Sequence, residues 1–484
     1  MNFRYRLLII IPLFIIFVIA APALILYGEG YRYDWQNKRL GRTGNFFIDS
    51  SPREATILLN NQSLKGPWYQ KWFIHKKILG MPDIQGATPT VINNLLPNKY
   101  DITIKKTGYR PWHKILEIKP QTTTNTGRVN LFLEKFNPRL ITKDPIIFLS
   151  PIDNGRQAVY ATYQSTTKIS TIKLLKTDPN VSLAEDVAQI PGKISDIQKT
   201  NNNLIIKTAG NFYLLNLSYP KDVFLINTLV SGVQKILLAN NTIYAQAGNK
   251  IYAVDVNNKK ISLIFDLNQI YAKKFILQDW IIKNAYLLIV KESSRDSWLE
   301  KINIASDVKK YNLQSVVFSL ALPNEGFKIN SEQINDDLVV LNNAQKMIVA
   351  DTTQKTNYLI YNNNTNNIVV RQNEKDVLLA NDFEVYLISL IKNTNDIWKA
   401  NAVLLNRGSE KIKKIIWSTN NSYCLSISNL NIDVVELDDR GGRNIYNLLT
   451  ADSIQNVWFG ASPDYLYLFG QINQQSGIWR IKIQ

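Results

Sequence analysis

Apolar and polar residues follow three distinct patterns along this chain, and each pattern predicts a different kind of structure. The first pattern is an uncharged apolar run from Leu7 to Tyr27, which follows Arg4 and Arg6. A run of about 20 apolar residues is long enough to cross the core of a bilayer as a helix. We therefore expect residues 1–6 to form a cytoplasmic segment and residues 7–27 to form a single transmembrane signal anchor.

A cleaved signal peptide is the main alternative for this segment, because VIAAPA at residues 18–23 contains small residues suited to cleavage. The apolar run continues through residues 24–26, beyond that site, which favours an uncleaved anchor. The two early arginines favour a cytoplasmic amino terminus, although residues 32–42 hold four basic side chains that weaken this asymmetry. We expect everything after the anchor to be extracytoplasmic.

The second pattern is short-range alternation, which occupies residues 45–136 beyond a glycine-punctuated connector at residues 28–44. Apolar residues alternate at Tyr100, Ile102 and Ile104, and again from Trp112 to Ile118, with turn residues between these segments. A period of two is typical of strands with one buried face. The pattern predicts a compact all-β domain, interrupted by an insertion at residues 65–86.

Four features of this domain, taken in order, resemble the PEGA family of small surface β domains. Ser51-Pro52-Arg53-Glu54-Ala55 precedes one strand, Thr88-Pro89 precedes the next, a turn from Leu96 to Tyr100 enters a third, and Gly108-Tyr109 precedes the last hairpin. The chain departs from the family where Asn98-Lys99 replaces a usual glycine, and by its insertion. The resemblance implies a PEGA-like β-sandwich that serves as an extracytoplasmic binding or spacer module without catalytic residues.

The insertion mixes aromatic and basic side chains and supplies the candidate contact site of this domain. Tryptophan and tyrosine favour the membrane–water interface, and lysines are attracted to anionic headgroups. We hypothesise that the insertion docks the domain on the membrane; stacking on sugars or on a partner protein is an alternative, and the simplest interpretation is that it covers the domain's own core. The candidate contact residues are Trp68, Tyr69, Lys71, Trp72, Phe73, Lys76 and Lys77.

The third pattern is a repeat of apolar strands and Asn, Pro or Asp turns that fills residues 140–484. Trp417 and Trp458 occupy equivalent places in two successive units of this repeat. Units of about 40–45 residues with four short strands each are typical of β-propeller blades, and that period gives about seven or eight blades here. Turn residues in two units, Ser150-Pro151-Ile152-Asp153 and Ser462-Pro463-Asp464, resemble those of the TolB-like and WD40-like propeller repeats.

The predicted fold class is therefore all-β, with an N-terminal transmembrane helix, a small PEGA-like β-sandwich and a seven- or eight-bladed β-propeller. The formal charge of +17 attracts polyanions. Because the basic residues are spread out rather than clustered, we expect no nucleic-acid partner. An envelope protein or an anionic polysaccharide fits the predicted location, and the PEGA resemblance implies that the cell envelope is bacterial.

The sequence contains no recognisable catalytic motif: no nucleophile elbow, phosphate-binding loop, zinc-protease motif or calcium loop occurs in it. A propeller glycosidase would need two carboxylates, and the acidic pairs Asp336-Asp337 and Asp438-Asp439 are interpreted as solvated turn residues. Cys424 lies in an alternating segment and is expected to be a buried, inert thiol.

We therefore expect no catalytic residue, no metal and no cofactor. The predicted function is non-catalytic binding or scaffolding of envelope protein or polysaccharide. The alternative is a propeller hydrolase acting on glycan or peptide, which inward-facing carboxylates at the central channel would favour.

Overall fold

The computed structural model contains an N-terminal helix, a small two-sheet β domain and a ring of four-stranded sheets. The structure describes residues 3–34, 38–63, 86–178, 184–200, 202–239, 242–256, 258–271, 274–283, 286–304, 316–330, 337–353, 356–361, 367–370, 376–392 and 398–484.

The apolar run forms helix α1 (Phe3–Gly28). Its segment Ile11–Gly28 has a mean hydropathy of 2.5, and 0% of it is buried inside the protein. By length and composition, this helix can span a membrane or act as a signal anchor, as the sequence predicted. The connector after it contains a hairpin of two strands, β1 (Tyr31–Asp34) and β2 (Arg39–Arg42).

The small β domain consists of two sheets that enclose one apolar core. Phe46 and Ile48 from the first sheet pack there against Ile102, Ile104 and Trp112 from the second. The first sheet has the order β6–β3–β9, with β3 and β9 parallel, and the second has the order β5–β4–β7–β8. The strands are β3 (Gly44–Ser51), β4 (Thr56–Leu59), β5 (Gln62–Ser63), β6 (Thr90–Leu95), β7 (Asn98–Lys105), β8 (Trp112–Ile118) and β9 (Thr123–Asn130).

The described residues from 139 onward form eight four-stranded antiparallel sheets, the blades of a β-propeller. This confirms the predicted fold class and gives a blade number of eight. Strand β10 (Arg139–Thr142) comes first in the chain. Blade 1 contains β11 (Ile146–Ile152), β12 (Gln157–Gln164), β13 (Ile169–Lys176) and β14 (Ala184–Pro191), and blade 2 contains β15 (Asp196–Thr200), β16 (Asn203–Lys207), β17 (Phe212–Asn216) and β18 (Tyr219–Leu225). Blade 3 contains β19 (Val233–Ala239), β20 (Thr242–Ala247), β21 (Lys250–Asp255) and β22 (Lys260–Asp266). Blade 4 contains β23 (Ile276–Lys283), β24 (Tyr286–Glu292), β25 (Ser297–Asn303) and β26 (Val316–Leu322).

A short helix, α2 (Leu267–Tyr271), follows blade 3. Blades 5 to 7 continue the same antiparallel order. Blade 5 contains β27 (Lys328–Ile329), β28 (Leu338–Asn342), β29 (Met347–Asp351) and β30 (Thr356–Tyr361). Blade 6 contains β31 (Asn367–Val370), β32 (Asp376–Ala380), β33 (Glu384–Lys392) and β34 (Trp398–Arg407). Blade 7 contains β35 (Lys414–Trp417), β36 (Tyr423–Ile427), β37 (Asn431–Glu436) and β38 (Ile445–Thr450).

Strands from the two ends of the propeller close the ring in blade 8. This blade contains β39 (Ser453–Phe459), β40 (Tyr465–Ile472) and β41 (Gln475–Lys482), and β10 pairs antiparallel with β41 as its outermost strand. The backbones can approach because residue 477 is glycine: a Cβ on Gly477 would lie 2.1 Å from the carbonyl oxygen of Thr142. The repeat pattern predicted the three C-terminal strands but not this exchange.

A separate apolar cluster fills each of the eight interfaces between neighbouring blades. Between blades 8 and 1, for example, Trp458 and Tyr467 stack with ring centroids 5.6 Å apart and pack with Tyr160. Each blade therefore buries both of its faces only when both neighbours are present.

Candidate functional site

The first strand of each blade lies at the inner edge of its sheet, where several first strands contact those of neighbouring blades. These strands border the central channel, so their side chains are the first candidates for a functional site. In blades 3, 4 and 8 the pairing register skips one exposed glutamine on this strand, which marks a β-bulge. The glutamines are Gln234, Gln278 and Gln455.

The residue after each bulge takes part in contacts between blades. Lys235 of blade 3 donates hydrogen bonds to Asp279 Oδ1 and to the Trp280 carbonyl of blade 4, both at 2.6 Å. The second oxygen of Asp279 accepts a hydrogen bond of 2.8 Å from the backbone N–H of Ile329 in blade 5. Lys235 and Asp279 therefore connect blade 3 with blade 4 and blade 4 with blade 5.

Lys414 makes the corresponding tie between blades 7 and 8. Its Nζ donates to Asn456 Oδ1 at 2.7 Å and to the Val457 carbonyl at 3.1 Å. Burial lowers the pKa of Lys414 to about 8, because these partners carry no full negative charge to offset the loss of water.

This partly buried lysine makes stability rise with pH in a defined window. The unfolded lysine keeps its proton to about pH 10.4, whereas folded Lys414 releases its proton near pH 8. The unfolded state thus binds more protons between these values, and the free energy of unfolding increases there by up to about 3 kcal/mol. Urea denaturation at about pH 7.5 and about pH 9.5 measures this rise. Lys414→Met should reduce it; an equal rise in the variant would assign the effect to other groups.

Carboxylates are sparse on the described innermost strands, which contain only Asp196 and Asp279. Asp279 is buried and bonded as above, and Asp196 accepts a hydrogen bond of 3.1 Å from the Gln198 side chain. Glycoside hydrolysis needs two carboxylates at opposite sides of the bond to be cleaved. The other polar residues of the described innermost strands are mainly amides and lysines.

The second candidate region is the joint between the small β domain and blade 7. Lys114 projects from β8, and its side chain is 0% exposed. Its Nζ donates a hydrogen bond of 2.7 Å to the Asp438 carbonyl and lies 3.3 Å from Glu436 Oε1 and 3.4 Å from Asp438 Oδ2. Trp112 Nε1 donates to the same Glu436 oxygen at 3.0 Å. A buried cation of one domain is thus neutralised by two acids of the other.

The turn after β37 interlocks with β8 at the same joint. Gly441 has a φ of 65°, and a Cβ there would lie 1.9 Å from the Ile115 carbonyl oxygen, so only glycine fits this approach. Two hydrogen bonds follow this turn: Asn444 Nδ2 donates to the His113 carbonyl at 3.2 Å, and Tyr446 Oη donates to the Pro111 carbonyl at 3.2 Å.

The chain that links the two domains is itself part of the propeller core. Phe132 belongs to the cluster between blades 7 and 8 and meets Tyr423 edge-on, with ring centroids 5.0 Å apart. Next to it, the backbone N–H of Leu133 donates to the Ile483 carbonyl at 2.9 Å. The described residues therefore hold the small β domain in one orientation on blade 7.

A cavity of about 280 Å³ opens along this joint. Arg440 lies at its wall, donating to Asn125 O at 3.0 Å and to Asp438 Oδ2 at 2.8 Å. Burial alone would raise the pKa of Asp438, but hydrogen bonds from the Arg440 side chain and backbone, with the Lys114 and Arg440 charges, hold it below its ordinary value. The residues that line the cavity include Trp112, Arg128, Phe132, Tyr423, Glu436 and Tyr446.

The structure corrects one sequence interpretation and confirms another. Asp438 is not a solvated turn residue: its side chain is 26% exposed and forms part of the joint. Asp337 is 57% exposed, as expected of a turn residue, and Asp336 lies outside the described residues. Cys424 is fully buried, and burial raises the pKa of its thiol to about 12, which confirms an inert thiol.

The seven candidate contact residues of the insertion lie outside the described residues, so the docking hypothesis stays a prediction. They are Trp68, Tyr69, Lys71, Trp72, Phe73, Lys76 and Lys77.

Sequence reasoning missed Lys114, although a signal was present. Trp112, Lys114, Leu116 and Ile118 share the buried face of β8. A lysine on the apolar face of an alternating strand requires a buried partner for its charge. The pattern thus marked a contact, but not the residues that complete it.

These features define a class of molecule: a small β-sandwich fixed to an eight-bladed β-propeller, behind an apolar N-terminal helix. No family model and no curated protein matches the chain.

Several solved structures are similar at low identity. The Dos1 propeller is 12% identical, with 72% of this chain and 94% of that chain covered and a TM-score of 0.47. Kluyveromyces lactis Hsv2 is 10% identical, covering 63% and 98%, with a TM-score of 0.40. The AfRom2 CNH domain is 12% identical, covering 72% and 99%, with a TM-score of 0.37. Likenesses this remote carry no statement about partners or activity.

Proposed function

We propose that this protein is a non-catalytic, membrane-anchored scaffold that presents its propeller to a binding partner in the cell envelope. In this proposal α1 crosses the cytoplasmic membrane once, and the β domains lie outside the cytoplasm. The partner is an envelope protein or an anionic polysaccharide.

The observation that supports this proposal most directly is the joint at Lys114. Two domains linked by a flexible tether would need few mutual contacts, whereas here a buried lysine, the Gly441 turn and Phe132 join them. Contacts of this kind oppose the relative motion that is otherwise expected between linked domains. A fixed orientation is useful to a protein that displays a binding surface at a set place above the membrane.

The composition of the channel supports binding rather than hydrolysis. Amides and lysines suit hydrogen bonds to an acidic or sugar-rich partner, and the formal charge of +17 favours an anionic one. The two carboxylates of the described innermost strands, Asp196 and Asp279, are both engaged by neighbours. This favours the scaffold over the glycan or peptide hydrolase.

The resemblance of the small β domain to the PEGA family fits the same proposal and a bacterial origin. The cis bonds Ser51-Pro52 and Thr88-Pro89 lie at the positions that carry this resemblance. A surface module of that kind would act as a spacer between bilayer and propeller, and the insertion at residues 65–86 would supply a further contact to the membrane.

The anchor is tested on the full-length protein in native membranes. We expect the protein to stay in the membrane pellet after alkaline carbonate extraction, because the segment Ile11–Gly28 of α1 is long and apolar enough to cross a membrane. Its mature amino terminus should precede the apolar run. Amino-terminal sequencing that starts after Ala21 or Ala23 would show a cleaved signal and contradict the anchor.

Binding is tested by co-sedimenting the detergent-solubilised full-length protein with isolated cell walls, either intact or stripped of their anionic polymers. For an anionic polysaccharide partner, we expect salt-sensitive binding to the intact walls only, with no release of reducing ends or peptides. Equal binding to both wall preparations would reject the anionic polymer. Release of products that is lost in Asp196→Asn would replace the scaffold with a hydrolase.

A further inference from the structure

The hairpin of β1 and β2 begins directly at the end of α1 and is bonded to that helix. Arg32 Nη1 donates a hydrogen bond of 2.9 Å to the Tyr27 carbonyl, one of the last carbonyls of the helix. The Arg32 guanidinium carbon also lies 3.6 Å from the centre of the Tyr27 ring. A cation at this end of a helix interacts favourably with the helix dipole. The hairpin therefore continues the helix without a free linker.

The same hairpin is bonded to the small β domain at its other end. The Thr43 backbone N–H and Oγ1 donate to the Gly30 carbonyl at 2.9 and 2.8 Å, which closes the base of the hairpin. The Gln121 N–H then donates to the Thr43 carbonyl at 2.9 Å. A continuous series of hydrogen bonds thus links the end of α1 to the sandwich.

The inner face of the hairpin is turned toward the sandwich. Arg32 pairs with Gly41 and Asp34 with Arg39 across the two strands, so these four residues share one face. A Cβ on Gly41 would meet the Leu96 side chain at 3.8 Å. Burial, and then the nearby Asp34 carboxylate, raise the pKa of Tyr100 in β7.

The outer face carries large side chains that are partly exposed to solvent. Tyr33 pairs with Leu40 across the strands, and the two side chains are 44% and 48% exposed. Tyr31 and Arg42 extend this face toward the helix, where Arg42 Nε donates to Tyr31 Oη at 2.7 Å. Lys38 adds an exposed charge at the far end of the hairpin.

We infer that the outer face of this hairpin lies in the boundary between headgroups and acyl chains of the bilayer that α1 crosses. Tyr33 and Leu40 insert there, and Lys38 and Arg42 contact anionic headgroups. The occupant is the bilayer because α1 ends at Gly28, only three residues before β1, and the inner face is already turned to the sandwich. Tyrosine and basic residues are the groups enriched at this depth. The inference rests on the proposed anchoring by α1.

The consequence is that the sandwich stands on the membrane with a fixed side downward. Because the sandwich is joined rigidly to blade 7, the orientation of the hairpin also sets that of the propeller.

The test uses the full-length protein in lipid nanodiscs made from phosphatidylglycerol and phosphatidylethanolamine. A nitroxide is attached to Leu40→Cys and, as a matched control, to Ile261→Cys, an exposed apolar position on β22 with 42% exposure. Cys424 is 0% exposed and stays unlabelled. We expect the label at position 40 to be several-fold more accessible to oxygen, and less accessible to a water-soluble nickel complex, than the label at 261. Equal nickel accessibility at the two positions would overturn the inference.

The role of charge is tested in the same nanodiscs with Lys38→Gln and Arg42→Gln combined. We expect the two substitutions to make the label at position 40 more accessible to the water-soluble nickel complex. In nanodiscs of phosphatidylcholine alone, we expect them to leave this accessibility unchanged. An unchanged label depth in anionic lipid would overturn the headgroup contact. If the protein failed to enter nanodiscs, the proposed anchoring by α1 would be wrong. If the protein entered nanodiscs but the label at position 40 stayed in water, only the inference about the hairpin would be wrong.

Discussion

Deleting residues 453–484 is expected to unfold the whole propeller rather than shorten it by one blade. The deletion removes β39–β41, so it leaves β10 without its described partner and uncovers the faces of blades 7 and 1. Each large apolar side chain that loses its cover costs about 1.5–3 kcal/mol. The side chains affected are Phe132, Tyr423, Leu425, Ile427, Ile432, Val434, Leu448 and Tyr160.

The summed loss is comparable to, or larger than, the entire stability of a folded domain, which is about 5–15 kcal/mol. We therefore expect loss of the cooperative thermal transition seen by tryptophan fluorescence. A truncated protein with an unchanged melting temperature would mean that the blades do not form one cooperative ring.

A point substitution separates ring closure from the loss of a blade. Gly477→Val places side-chain atoms against the Thr142 carbonyl and should displace β10, lowering the melting temperature substantially. Gly408→Ala is the matched control, because a Cβ there meets its nearest atom at 3.6 Å, an ordinary contact. Similar melting temperatures for the two variants would contradict the role of β10.

Replacing Lys114 by methionine is expected to destabilise the protein by about 3–5 kcal/mol, the usual cost of removing one partner of a buried ion pair. The loss arises because Glu436 and Asp438 keep their negative charges at the joint without the cation between them. The free energy of unfolding from urea titration measures this effect. Limited proteolysis between the domains should accelerate as the joint loosens.

Two controls make this result specific. Lys176→Met removes an exposed pair, with side chains 50% and 59% exposed, and should cost only about 0–1 kcal/mol. Combining Lys114→Met with Glu436→Gln and Asp438→Asn removes all three charges and should recover much of the loss. Equal costs for Lys114→Met and Lys176→Met would show that the joint does not depend on the buried charge.

The propeller could be predicted from the sequence largely because its strands carry local signals. Trp417 and Trp458 mark the ends of equivalent first strands in blades 7 and 8, and alternation with turn residues defines the others. Blades 5 and 6 give weaker signals, because their first strands, β27 and β31, span only Lys328–Ile329 and Asn367–Val370. Counting blades from the period therefore left seven and eight open.

The features that sequence could not supply depend on contacts between distant residues. Strand β10 has four residues, and nothing in their pattern indicates pairing with β41 at the other end of the chain. The turn at Asp438 resembles any exposed hairpin turn, and its role follows only from Lys114, which is distant in sequence. The role of the apolar residues of β1 and β2 likewise cannot be recognised from sequence. It follows only from the proximity of Gly41 to Leu96, which shows which face of the hairpin is turned toward the sandwich.

The β10–β41 pairing also sets the order in which this protein can mature. A chain made from its amino terminus delivers β10 before any blade, whereas the strand that receives it, β41, follows all seven other blades. Contacts with such a large sequence separation form slowly, because a long loop must close before they contribute. Until then the molecule is an open arc with unpaired strand edges, which are sites of aggregation. Closure therefore requires that all eight blades have been made, and a chain that stops before β41 is left exposed to proteases.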